Sequence, residues 1–121
     1  HSEAGGYIYV YTLPSWKDSG VQIYRTGRAK DWRERIKQHQ REHPIENIKL
    51  EKLWEIPVDL HGEEQKILKR LQDENLQFNS IHTSTSEFFV NLNEYNNIIS
   101  KLKRTEWKEL NCEKYNLNKR N

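Results

Sequence analysis

The chain has 121 residues with 34% hydrophobic content, enough for one small core and too little for two domains. Its 20 Lys and Arg against 18 Asp and Glu leave a formal net charge of +2, which excludes a global polycation, and no apolar run approaches the roughly 18 residues of a membrane span. The single cysteine, Cys112, excludes an internal disulfide framework and a cysteine zinc site; with no secretion signal in view, it suits an intracellular compartment, nuclear, cytoplasmic or nucleoid.

Gly6 to Thr12 is a β-branched and aromatic run ahead of Pro14, which predicts a first strand. Val21 to Gly27 predicts a second, paired with the first as an antiparallel hairpin across a turn-rich loop at 15–20. Asp31 with Glu34 three residues later reads as a capping box, opening a helix from about Trp32 to Glu42 that stops before Pro44. From Ile48 to Pro57 the chain alternates through Ile48, Leu50, Lys52 or Leu53, then Trp54 and Ile56. That alternation slips in the middle, and it predicts a third strand carrying a bulge.

Asp59 caps a second expected helix, with Leu60, Glu64, Ile67, Leu68 and Leu71 at helical spacing as far as about Asn75. Residues 80–86 read as a polar loop, and Glu87 to Val90 as a short fourth strand. Asn91 with Glu94 is another capping box, and Leu92, Tyr95, Ile98, Ile99 and Leu102 give a third helix its apolar stripe. The order β-β-α-β-α-β-α predicts a small α/β domain over 6–105, with a mixed or antiparallel sheet of three to four strands flanked by helices. A basic helical extension or tail is expected over 106–121. The absence of any Met leaves no initiator, so the chain reads as an excised domain or a processed product.

The small net charge conceals a segregation. Residues 24–43 carry seven basic side chains against three acidic ones, whereas residues 46–64 carry six acidic against two basic. On charge alone, solvated faces of differing sign are the more ordinary explanation, and a phosphate-binding surface beside a metal site is the other. On the second reading, Arg25, Arg28, Lys30 and Lys37 are the phosphate- or DNA-binding candidates.

One set of residues resists a packing explanation: Tyr9 in the first strand, Gly27 ending the second, Arg35 and His39 in the first helix, and Glu64 in the second. Arg35 and His39 are four apart and so share a helical face. Arg offers a planar fork to phosphate oxygens, His exchanges a proton near neutrality, and a carboxylate is the hard ligand that Mg²⁺ takes. Glu63 rivals Glu64, because a register shift of one would exchange them; the stripe Ile67, Leu68, Leu71 favours Glu64 as the inward residue.

These pieces, in this order, resemble the GIY-YIG nuclease superfamily, and most closely its T5orf172 branch. Gly6-Tyr7-Ile8-Tyr9 is similar to the first signature, with Tyr9 on the catalytic Tyr, and Tyr24-Arg25-Thr26-Gly27-Arg28 is similar to the second. Arg35 and His39 fall where the family keeps a catalytic Arg and a His. Glu64 lies in a helix like the one that bears the metal-binding Glu, and Ser86 to Val90 resembles the branch's closing strand. The similarity spans 6 to about 102 and leaves Cys112 outside it. Three departures stand out: Tyr7 holds the slot of the first signature's Gly, with Gly6 one residue earlier; Arg25 occupies the slot of the second-motif Tyr, so that Tyr24, one residue off, should face the other way and serve the core; and the family's late Asn has no clean match, Glu87 occupying its region.

The resemblance implies a metal-dependent DNA endonuclease that uses one Mg²⁺ or Mn²⁺. Tyr9, helped by His39, would be the general base toward water, Arg35 would stabilise the transition state, and Glu64 would hold the metal. Such a Tyr needs help, since its ordinary pKa is about 10, and Arg25, Arg28 and Arg35 are the cations expected to lower it. DNA is the implied partner. With no zinc finger, helix-turn-helix or arginine-rich arm in the sequence, specificity is expected from a separate recognition module or a homodimer partner. The alternatives are an inactive nucleic-acid-binding domain of the same fold, and a protein-interaction module anchored by Trp16, Trp32, Trp54 and Trp107.

Overall fold

The computed structural model describes residues 4–78, 87–102 and 106–116. The expected loop at 80–86, with His82, and the end of the tail at 117–121 lie outside the described residues. The elements in order are β1 (Ala4–Thr12), β2 (Lys17–Asp18), β3 (Val21–Ala29), α1 (Trp32–Glu42), β4 (Lys49–Val58), α2 (Leu60–Asp73), β5 (Phe88–Val90), α3 (Leu92–Leu102), β6 (Lys108–Glu109) and α4 (Glu113–Asn116). The predicted α/β domain is therefore present, with its strands and helices in the expected order. To these the structure adds β2, β6 and α4.

β1 is the middle of the sheet, with β3 on one side and β4 on the other, all antiparallel. β2 and β5 continue the sheet beyond β3, and β6 continues it beyond β4. Along β1 the side chains alternate, so Tyr7, Tyr9 and Tyr11 face one way and Ile8 and Val10 the other. Ile8 and Val10 meet Trp54 and Ile56 of β4 and the inner faces of α2 and α3. Tyr9 and Tyr11 belong to a second core with Leu50, Leu53 and Trp32, beneath α1 and the C-terminal segment.

The slip in β4 is a real bulge. Val10 pairs with Lys52 but Tyr11 pairs with Leu50, so one extra residue of β4 sits between them. Simple alternation would send Leu50 and Leu53 to opposite faces; the added residue returns both to the tyrosine side. Asn116 caps this irregularity, since its side chain accepts a hydrogen bond from the Leu50 N–H at 3.0 Å and donates to the Leu50 carbonyl at 2.9 Å.

The helices begin where their capping residues place them. The Asp31 carboxylate accepts from the Glu34 N–H, and Asn91 accepts from the Glu94 N–H. Asp59 sits in the left-handed region and accepts from the Gly62 N–H. A Cβ at position 62 would fall 2.4 Å from an Asp59 oxygen, so Gly62 lets this cap close and α2 start in the register that Glu64 depends on.

Two expectations need correction. The described part of the supposed tail, 106–116, packs into the domain: β6 pairs with β4, Trp107 is only 6% exposed, and Cys112 is buried in the second core. The tryptophans are also not interface anchors. Trp32, Trp54 and Trp107 are buried, and the half-buried Trp16 packs on Tyr11, His43 and Phe88. No helix among the described residues is long and apolar enough to cross a membrane.

Candidate active site

Tyr9 lies opposite Gly27 in the β1–β3 ladder, and its ring crosses over that glycine. A Cβ at position 27 would sit 2.5 Å from the phenol oxygen and 2.7 Å from the carbon that bears it. Any other residue there would push the phenol away, which is a packing reason for the glycine of the second signature. The phenol is 2% exposed, and its oxygen shares a 3.0 Å hydrogen bond with His39 Nε2. His39 projects inward from the last turn of α1 and packs its ring 4.9 Å from that of Tyr11.

Arg35, one turn earlier on α1, is exposed and donates through Nη1 to the Arg28 carbonyl at 3.3 Å. Arg25 pairs with Tyr11 across the β1–β3 ladder; it donates through Nη1 to the Tyr11 hydroxyl and through Nε to Glu87, each at 3.2 Å. Glu64, on α2, is 1% exposed and accepts a short 2.5 Å hydrogen bond from Arg28. Tyr9, Arg25, Gly27, Arg28, Arg35, His39, Glu64 and Glu87 line one cleft of about 210 Å³. The four residues expected to carry the chemistry, drawn from three elements, are thereby brought together.

Beside it lies a wider groove of about 410 Å³, which shares Arg28 and Arg35 and adds Lys30, His61 and an apolar floor of Ala4, Ala29 and Leu60. Lys30 thus joins the site from the neighbouring groove. Lys37 lines neither cleft and lies exposed on α1. Tyr24 stacks on Phe89 over the other core, as its strand parity requires. Glu63 is buried too but does not line the cleft; its carboxylate lies 3.6 Å from Lys66. Glu87, which the resemblance sets in the region of the family's late Asn, forms part of the wall. Tyr11, which holds Arg25, belongs to no signature; its signal in the sequence is the two-residue spacing from Tyr9 on the same strand face. His61, which no motif singles out, lines the neighbouring groove.

The electrostatics depart from expectation at Tyr9. Its pKa is raised, because burial outweighs the opposing pull of Arg35 and Arg25, and Glu87 adds to the rise. Burial likewise pushes the Tyr11 phenol up to about 12. His39 is held below its ordinary value, first by burial and then by Arg25, while Glu42 opposes them. Burial raises Glu64 against the lowering effect of Arg28, and Glu87 raises it further. The resting site is therefore a neutral phenol against a neutral imidazole, flanked by guanidinium groups. A neutral imidazole can accept the proton that the phenol must lose.

Among the described residues no three His, Cys, Asp or Glu side chains cluster as a closed metal cage. Mg²⁺ does not require one, since it is commonly held by one or two carboxylates together with water and substrate phosphate. A single buried carboxylate in a cleft lined by arginines fits that mode, provided Arg28 yields its place on Glu64. The Glu64 donor set fits Mg²⁺ or Mn²⁺, and does not fit a structural zinc.

The model of the T5orf172 domain matches residues 6–113. The match runs past Leu102, where the motif resemblance ends, and takes in β6 and Cys112. No curated protein and no solved structure matches the chain significantly. The fold, the order of the signatures and the family match agree, and the chain belongs to the T5orf172 domain family, a GIY-YIG-like, nuclease-associated group.

Proposed function

We propose that the chain is a metal-dependent DNA endonuclease. The observation that carries this reading is the convergence of the Tyr9–His39 pair, Arg35 and Glu64 on one cleft around Gly27. In the proposed reaction His39 takes the phenol proton, and the Tyr9 oxygen in turn draws a proton from the attacking water. Arg35 presents its fork to the non-bridging oxygens as negative charge builds on them. Arg25, held by Tyr11 and Glu87, adds a second fixed cation on the same side. Glu64 would hold a Mg²⁺ or Mn²⁺ ion, whose contribution when bound is to stabilise the leaving 3′-oxygen.

The adjoining groove supports a nucleic-acid strand as the substrate. Its cations continue those of the cleft, and its apolar floor suits a sugar or base edge. DNA is the partner on this reading, with base recognition supplied by a separate module or a second copy of the chain.

The test is nicking of supercoiled plasmid in Mg²⁺ or Mn²⁺. Tyr9→Phe, Arg35→Ala and Glu64→Ala are each expected to lower the rate by about 10²-fold or more. Equal nicking by the wild type and all three variants would overturn the assignment.

One observation favours a second reading, a DNA-binding domain without catalysis: Arg28 occupies the Glu64 carboxylate. That reading expects salt-dependent binding without cutting by the wild type, with affinity indifferent to Glu64→Ala.

A further inference from the structure

The Tyr9–His39 hydrogen bond can run either way, since a neutral imidazole donates or accepts at Nε2 according to its tautomer. The far side of the ring decides the direction. His39 Nδ1 is sealed from solvent and has no well-formed hydrogen bond, but a Glu42 oxygen faces it at 3.5 Å, three residues further along α1. A bare lone pair at Nδ1 would be repelled by that carboxylate, whereas an N–H there is attracted to it. The remaining groups on the ring do not reverse this. Tyr9 and Tyr11 approach from β1, and the Arg25 and Arg35 guanidinium groups act on it from β3 and from α1. Both cations disfavour an imidazolium, which leaves the neutral ring with one proton to place.

We propose that Glu42 is a positioning residue that holds His39 in the Nδ1–H tautomer, so that the phenol of Tyr9 donates to Nε2. Glu42 is 59% exposed at the end of a helix and does not line the cleft, so packing does not require it. The arrangement is a relay of three: carboxylate, imidazole, phenol. The third group orients the base, as in other activated sites. Its value for cleavage rests on the nuclease reading; the tautomer does not.

The experiment is ¹⁵N NMR of the histidine side chains in the full chain, with His39 assigned by the signal lost in His39→Gln. The wild type at alkaline pH is expected to show a protonated Nδ1 and a bare Nε2. In Glu42→Ala the preference should weaken or invert, and the imidazole should become harder to protonate. Backbone amide spectra of the same samples verify the fold. If nicking is detected, Glu42→Ala should slow it by about tenfold, the low end for partners that orient a histidine, and the acid limb of the rate profile should move to lower pH. A wild-type His39 protonated at Nε2 would overturn the proposal, as would a Glu42→Ala spectrum unchanged in tautomer and titration. Should plasmid nicking fail while the NMR result holds, the relay stands and the nuclease reading falls.

Discussion

Glu64 is an ionisable group only 1% exposed, and burial raises its pKa even with Arg28 alongside. A carboxyl whose folded-state pKa lies above its unfolded value contributes stability that is fully present below the unfolded pKa and is lost as pH rises through the folded one. At neutral pH its ionised form therefore costs stability. Glu64→Gln keeps an acceptor for Arg28 and removes the charge, so it should raise stability at pH 7 by on the order of 1 kcal/mol. The gain should shrink as pH falls toward 4.5, the ordinary value for Glu, while nicking is lost. Denaturant midpoints of the two proteins across that range check the prediction; a variant less stable than wild type at pH 7 would refute it. A residue that weakens the fold it sits in is what a functional site leads one to expect.

Among the elements, α1 carries two of the four proposed catalytic residues, and its start is set by one cap. The Asp31 side chain accepts from the Glu34 N–H at 3.1 Å. Asp31→Ala should cost about 1 kcal/mol of stability, read as a shifted denaturant midpoint. It should also loosen the first turn next to Arg35 more than the last turn that bears His39. Faster amide exchange at Arg33 and Glu34 than at His39 is the expected pattern; uniform protection along α1 would contradict it. This helix was legible because every boundary signal is local, with Asp31 at the front and Pro44 just behind. The bulge in β4 was legible for a similar reason, as a break in an otherwise regular alternation. β2 and β6 were not, because a two-residue strand has no period to detect and exists only through its neighbour.

Across the molecule, the two cores meet through a single sheet, and the C-terminal segment closes its β4 edge. Trp107 packs in the core beneath α2 and α3, while Leu110, Cys112 and Tyr115 join the core beneath α1, the one that contains Tyr9. Trp107→Ala should therefore destabilise the whole domain by about 3–5 kcal/mol, measurable in urea. A loss below roughly 1 kcal/mol, the size of a surface substitution, would mean that this segment is the appendage its polar sequence suggests.

Composition, capping signals and strand parity were enough to settle the α/β order, the start and end of α1, the slip in β4 and the turn of Tyr24 away from the cleft. Each depends on residues within a few positions of one another, where stereochemistry leaves little choice. The chain's motifs also named Tyr9, Arg35, His39 and Glu64. Only the tertiary structure could bring them to one cleft, set Arg28 on Glu64, and add Tyr11, Glu87 and Glu42 around them. It also reversed the expected effect on the Tyr9 phenol, because cationic neighbours can be counted along a chain, whereas loss of water depends on everything that packs above the ring.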